Sequence, residues 1–385
     1  MRILYTYRSL AVWGGVERVL IDKMNYLVAQ LGYEVYMLTT CQGNHHVPYA
    51  LDPQVHFADL GIQFHKQYQY RGIRRLIDVY RRTKLFERRF EDKIHIIHPD
   101  IIICTTADPV YSIVKVKGKV PLIVESHSIC HRTFLVNGLY QRLRAVLLRR
   151  GLQKASCVVA LTEGDAIEWR KIHSYVEVIP NIVHLNKFGL SSLSAKRVIF
   201  VGRFDYQKQP MEAIKIWQMV YPKHPDWHLD IYGEGEQRTE LEFAAKKLNM
   251  NIHINEPVSD IFDCYRNSSI LISTSLFEPF GLVIPEAMSC GLPVISYDSP
   301  YGPSAIITNE TDGFLIKAND VDSFANRINQ LIDDESLRAQ MGHAASLSSN
   351  RFPVENIMHS WLSLFSSYAK STCQKGWVNF LFPRI

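Results

Sequence analysis

The chain's 385 residues exceed the ~250–300 at which single hydrophobic cores stop growing, so two domains are expected. With 47% hydrophobic and 21% charged residues and no internal repeat, it reads as an ordinary globular protein. Lys and Arg outnumber Asp and Glu by 26 to 16 over residues 1–190 but fall short by 17 to 22 over the rest, so a basic first half with an anionic partner is joined to an acidic second half. A solvated basic surface would give the same count. The overall pI of 8.7, without any RNA or DNA module signature, speaks against a nucleic-acid partner.

"MRILYTYRSL" lacks the apolar core of a signal peptide, and no run reaches the ~18 apolar residues that span a bilayer. Seven scattered cysteines without a CxxC pair read as reduced core residues. A cytoplasmic protein, soluble or peripheral on the inner face of the membrane, is therefore expected.

In chain order, "RILYTY", "YEVYMLTT", "DIIICTT", "PLIVESH", "CVVALT" and "VEVIPNIV" read as buried parallel strands. Amphipathic stretches such as "VERVLIDKMNYLVAQL" lie between them. Two basic, apolar-interleaved helices interrupt this half, at 71–93 and 139–154. The first carries nine basic residues against four acidic. Either helix could lie on an anionic membrane surface, pack on the sheet with solvated arginines, or meet a soluble anionic acceptor.

After a polar interruption at 184–197 the alternation restarts with "RVIFVGRF", "HLDIYGEG", "NIHIN", "SILISTS" and "LPVISYD". The expected architecture is α/β, two doubly wound Rossmann-like sheets facing across a cleft, divided as 1–190 and 191–360. The strongly amphipathic "VENIMHSWLSLFSSYAK" opens a last piece, 361–385 in this division, expected to pack back on the first domain. "GEGE" at 233–236 lacks the third glycine of a dinucleotide fingerprint.

Candidate chemistry concentrates at strand ends. In "EPFGLVIPEAMSCGLPVIS", Glu278 falls in a loop and Glu286 in the first turn of a helix, with Phe280, Gly281 and Leu282 between them. The amides of those three residues, with the helix behind them, form an anion cradle, and a carboxylate beside it accepts hydrogen bonds from hydroxyls. Together they fit a diphosphate that also carries polyhydroxyl groups, namely a nucleotide sugar. The plainer alternative makes Glu286 a complement to the helix dipole, worth ~0.3–1 kcal/mol, and Glu278 a solvated loop residue. In "FVGRFDYQKQP", Gly202, Arg203 and Lys208 stand at the end of the second domain's first strand, and the two cations supply what a diphosphate needs.

The ordered set "GGVERVL", "VESH", "VIPN", "FVGRFDYQKQP", "YGEGEQRTEL" and "EPFGLVIPEAMSCGLPVIS" resembles the retaining glycosyltransferases of family 4, which have the GT-B fold. The likeness spans nearly the whole chain, and the glutamates with seven residues between them are its most specific element. It implies that Glu278 contacts the donor sugar, Glu286 the ribose, and the 280–282 amides sugar and phosphate. It likewise implies that Arg203 and Lys208 bind the diphosphate, that Gly14 and Gly15 form the first domain's glycine loop, and that His127 lies near the reacting carbon. No metal and no cofactor beyond the nucleotide-sugar donor is implied, and retention is ascribed to front-face displacement. "YGPSAII" resembles the "YGPSEII" variant of UDP-dependent hexosyl and N-acetylhexosaminyl transferases acting on polysaccharide or lipid-linked glycan, with Ala305 in place of glutamate. A second departure is "INEPVSD", where the family commonly has a glycine near the base. A nucleotide-sugar epimerase and a non-catalytic sugar-nucleotide-binding protein would share most of these features.

Overall fold

A computed structural model describes residues 1–135 and 138–369. Among the described residues, thirteen strands form two parallel sheets. The first contains β1 (Arg2–Tyr7), β2 (Glu34–Thr39), β3 (His56–Asp59), β4 (Ile101–Thr105), β5 (Leu122–Glu125), β6 (Cys157–Ala160) and β7 (Val176–Val178), in the order β3-β2-β1-β4-β5-β6-β7. The second contains β8 (Arg197–Val201), β9 (His228–Tyr232), β10 (Ile252–Asn255), β11 (Ile270–Ser273), β12 (Val294–Tyr297) and β13 (Gly313–Ile316), in the order β10-β9-β8-β11-β12-β13.

Helices cover both faces of each sheet, which is why strands such as Ile101–Thr105 and Ile270–Ser273 are buried at every position rather than alternately. The helix Gly15–Leu31 turns Leu20, Met24 and Leu27 to the first sheet and stops at Gly32, whose φ of 62° breaks the helical path. Two strands were not expected from the sequence, β3 and β13, and each closes an edge of its sheet. β3 is exposed at three of its four positions and so lacks an apolar run, and β13 is four residues directly behind a polar turn.

Strand order reverses at β1/β4 in the first sheet and at β8/β11 in the second. Ligands bind beyond the carboxyl ends of strands at such switch points. The loops after β1, β5, β8 and β11 carry Gly14 and Gly15, His127, Gly202 to Lys208, and Glu278, so the fold delivers the expected site residues to one region.

The chain passes between the sheets twice. It leaves β7 for β8, and it returns through the helix Val354–Ala369, where the Val183 N–H donates to the Phe352 carbonyl at 3.2 Å. That helix buries Ile357, Met358, Trp361, Leu364 and Phe365 in the same cluster as Ile3, Met24 and Ile103 of the first sheet. It begins ahead of residue 361, and residues 370–385 of the expected tail lie outside the described residues.

The basic segments are helices Gly72–Ile97 and Leu139–Leu152. In the former, Phe86 and Phe90 enter the core while Ile73, Leu76, Ile77 and Tyr80 face outward. No helix among the described residues is long and apolar enough to cross a membrane.

Candidate active site

On the second sheet's side, Glu278 is buried although it sits in a loop. Its backbone is clamped: its N–H donates to the Pro300 carbonyl at 2.9 Å, and its carbonyl accepts from Tyr301 at 3.0 Å and Gly302 at 2.7 Å. Its carboxylate Oε2 takes the Lys208 ammonium and the Ser275 hydroxyl, the latter at 3.3 Å. An ammonium has three donors, so Lys208 can hold Glu278 and still reach an anion. Gly281 turns the chain with a φ of 92°, and an added Cβ would stand 2.9 Å from the Glu278 Cγ, so only glycine fits. Among the described residues, the amides of Phe280, Gly281 and Leu282 donate to no protein acceptor. Amides in buried positions such as Phe280 and Gly281 are normally paired, so this stretch is open to a bound group.

Arg203 does not join Lys208. Its guanidinium is exposed and turned to Asp205 at 3.1 Å and Gln207 at 3.0 Å. The Gly202 N–H donates to the Tyr232 carbonyl at 3.0 Å, tying the β8 loop to the end of β9. "GEGE" serves the same packing: a Cβ on Gly233 would overlap the Gly202 carbonyl oxygen, and the Phe204 N–H donates to the Glu234 carbonyl at 2.8 Å.

The first sheet contributes a chain of charges. His127 Nε2 lies 2.9 Å from Glu125 Oε2, the same oxygen that takes the buried Lys23 ammonium. Lys23 sits 4.4 Å from the ring centre of Trp361, on the returning helix. Burial acts to raise the Glu125 pKa, but the Lys23 charge and the His127 hydrogen bond overcome it, and the carboxyl stays below its ordinary value. Nearby, the Tyr7 hydroxyl donates to Glu17 Oε1 at 3.2 Å. Glu17 lies directly under Gly14, where any Cβ would overlap its carboxylate.

Among the described residues, side chains of the two domains meet across the cleft. Arg18 forms an ion pair with Glu286, and an added Cβ on Gly15 would lie 3.1 Å from Leu282 Cδ1. The Arg132 guanidinium stands 3.7 Å from the ring centre of Phe277, and Gly164 packs against Tyr301. The two glycine-bearing segments, 14–15 and 280–282, therefore meet.

Comparison with known proteins agrees with this arrangement. Residues 13–187 match the family described as Glycosyltransferase Family 4, and residues 186–347 match Glycosyl transferases group 1, so consecutive matches span both sheets. The chain thus carries a Glycosyltransferase Family 4 region followed by a Glycosyl transferases group 1 region. The amylovoran biosynthesis glycosyltransferase AmsD of Erwinia amylovora is 33% identical over 54% of this chain and 61% of its own length. The chain likewise spans less than two thirds of the length of other curated relatives it matches. A Campylobacter jejuni protein is 24% identical over 92% of this chain and 95% of its own length. Its name is GalNAc-alpha-(1->4)-GalNAc-alpha-(1->3)-diNAcBac-PP-undecaprenol alpha-1,4-N-acetyl-D-galactosaminyltransferase. Among solved structures, Staphylococcus aureus TarM, determined with UDP, fondaparinux and alpha-GlcNAc-glycerol, superposes with a TM-score of 0.76 at 16% identity. It covers 94% of this chain and 99% of that one, which shows the GT-B fold.

Sequence reading missed Arg18 and Arg132, whose partners Glu286 and Phe277 belong to the other domain, and Glu125, whose partners Lys23 and His127 belong to its own. It also missed Asp108, buried behind β4. Asp108 accepts from the Thr105 N–H at 2.7 Å and hydroxyl at 2.9 Å, yet burial raises its pKa from 3.8 to about 7. A raised carboxyl pKa contributes stability in full below the unfolded value, and that contribution is lost as pH rises through the folded one. The melting temperature is expected to fall between about pH 4 and pH 7, and Asp108→Asn to flatten that slope. Parallel melting curves for the two proteins would rule this out.

Proposed function

We propose that the chain is a retaining glycosyltransferase that moves a hexose or N-acetylhexosamine from a UDP-sugar to a growing polysaccharide or lipid-linked glycan. The observation that carries the reading is the Glu278–Lys208 pair beside three unpaired amides, at the switch point of the second sheet. A carboxylate that accepts from sugar hydroxyls thus adjoins a cation and amides that accept a diphosphate. The UDP in the TarM structure and the undecaprenol-linked acceptor named for the Campylobacter relative support this donor and acceptor class.

On this reading Glu278 grips the donor sugar and Glu286 the ribose. The amides of 280–282 and Lys208 hold the diphosphate, and Arg203 joins them by leaving Asp205. Gly14 and Gly15 let the first domain's backbone approach the phosphate. The acceptor hydroxyl attacks the anomeric carbon on the face from which the carbon–phosphate oxygen bond breaks, and its proton passes to the departing diphosphate. Catalysis is then positioning plus charge stabilisation on the leaving group, for which a single donor is worth ~2.7–4 kcal/mol. His127, fixed by Glu125, lines the acceptor side.

Titration with UDP tests the donor assignment. Glu286→Ala should weaken UDP binding by about tenfold or more, and unchanged affinity would remove the nucleotide from this site.

The acceptor reading extends to the membrane. Exposed Ile73, Leu76, Ile77 and Tyr80 alternate with exposed Arg71, Arg74 and Arg81, and Leu143 and Val146 alternate likewise with Arg142, Arg144 and Arg149. Each cation near an anionic surface is worth about 1 kcal/mol. Flotation should recover the protein with phosphatidylglycerol vesicles but not phosphatidylcholine ones, and Ile73→Asp with Leu76→Asp should abolish that recovery. Equal recovery of variant and parent would place the contact elsewhere.

A further inference from the structure

The Arg18–Glu286 pair joins residues 268 positions apart and crosses the cleft. Only one Glu286 oxygen, Oε1, is engaged by Arg18; among the described residues Oε2 accepts no bond. On the other side of the pair, Arg18 Nε is buried with no hydrogen-bond partner. The Tyr265 hydroxyl, close enough to feel the charges of Arg18 and Glu286, is also buried and unpartnered. A half-used carboxylate, a half-used guanidinium and an idle hydroxyl thus lie within electrostatic reach of one another. Buried donors and acceptors without partners are costly, and a ligand that supplies both kinds of group relieves them together.

We propose that Arg18 is a positioning residue for donor binding: by holding Glu286 Oε1 from the first domain, it aims Oε2 at the ribose diol of the nucleotide. This rests on the assignment of Glu286 to the ribose made above. Arg18 supplies the counter-charge beside this buried carboxylate and fixes its rotamer. Because the arginine belongs to the opposite domain, the ribose contact reaches full strength only when the cleft is closed, and donor recognition is coupled to closure.

The alternative is that Arg18 occupies the position the ribose needs and must be expelled. The two predict opposite signs. The full chain should be titrated by calorimetry with UDP and with 2′-deoxy-UDP, as the parent, Arg18→Ala, Arg18→Lys, Glu286→Ala and the Arg18→Ala/Glu286→Ala double variant. Positioning predicts that Arg18→Ala weakens UDP binding about tenfold or more, that the preference for UDP over 2′-deoxy-UDP collapses, and that Arg18→Lys restores part of both. It also predicts no further loss of preference when Arg18→Ala is added to Glu286→Ala, since the interaction is already gone. Tighter UDP binding by Arg18→Ala, unchanged binding, or equal weakening for both nucleotides would overturn it. Should Arg18→Ala melt below the assay temperature, Arg18→Lys and Arg18→Gln decide by the same preference ratio. If Glu286→Ala itself leaves UDP affinity and preference unchanged, the ribose assignment falls; if it lowers both and Arg18→Ala does not, only the role of Arg18 falls.

Discussion

Glu125→Ala is expected to destabilise the first domain by about 3–5 kcal/mol, because removing one partner of a buried ion pair strands the other. Lys23 and Glu125 both have 2% side-chain exposure, and the Lys23 ammonium has no water to turn to once the carboxylate is gone. For a domain of this size the melting temperature should drop by roughly 6–20 °C. Replacing both partners with apolar side chains, Lys23→Met with Glu125→Leu, should recover much of the loss, since no charge is then left buried. A single variant that loses less than about 1 kcal/mol would show that water reaches the pair. The doubly apolar protein should still turn over poorly, because His127 loses the oxygen that orients its ring.

Glu278→Ala should lower the rate of UDP release from UDP-hexoses or UDP-N-acetylhexosamines by about 10²–10³-fold, the scale of losing an interaction made at the reacting group. Its effect on free UDP should be far smaller, because UDP lacks the sugar that Glu278 grips on the proposed reading. That split separates Glu278 from Glu286, whose loss should weaken UDP itself. Glu278→Gln tests charge: it keeps the shape and an acceptor for sugar hydroxyls but no longer neutralises Lys208. Turnover of Glu278→Ala within about threefold of the parent across the donor panel would disprove the assignment.

Much of the fold and of the second-domain site is legible in the residues themselves. Buried parallel strands announce themselves as apolar β-branched runs, so "DIIICTT" and "SILISTS" could be placed from composition alone, whereas the four-residue edges His56–Asp59 and Gly313–Ile316 could not. Glu278, Gly281 and Lys208 sit in loops that directly follow readable strands, and the strand ends place them together. Arg18 had no such signal. It reads as an ordinary charge in the first turn of an amphipathic helix, and its meaning depends on a carboxylate in the other domain. Arg203 errs the other way: sequence pairs it with Lys208, but in the structure its long flexible side chain turns to Asp205, a choice of rotamer that no spacing encodes. Glu125 was hidden because a carboxylate at the end of an apolar strand looks solvated until Lys23 and Trp361 are seen to cover it.

The returning helix Val354–Ala369 also sets an order of events on the ribosome. Domains generally fold as units, the N-terminal one first, during synthesis. Here the first sheet emerges early but lacks Trp361 and Phe365, which belong to its core and are made only after all of β8 to β13. Until then the apolar ground around Ile3, Met24 and Ile103 is open to water and to other nascent chains. Translation that halts within the second sheet would release a first domain with part of its core uncovered, so the leading half is the last to be finished and the one in need of a holding chaperone.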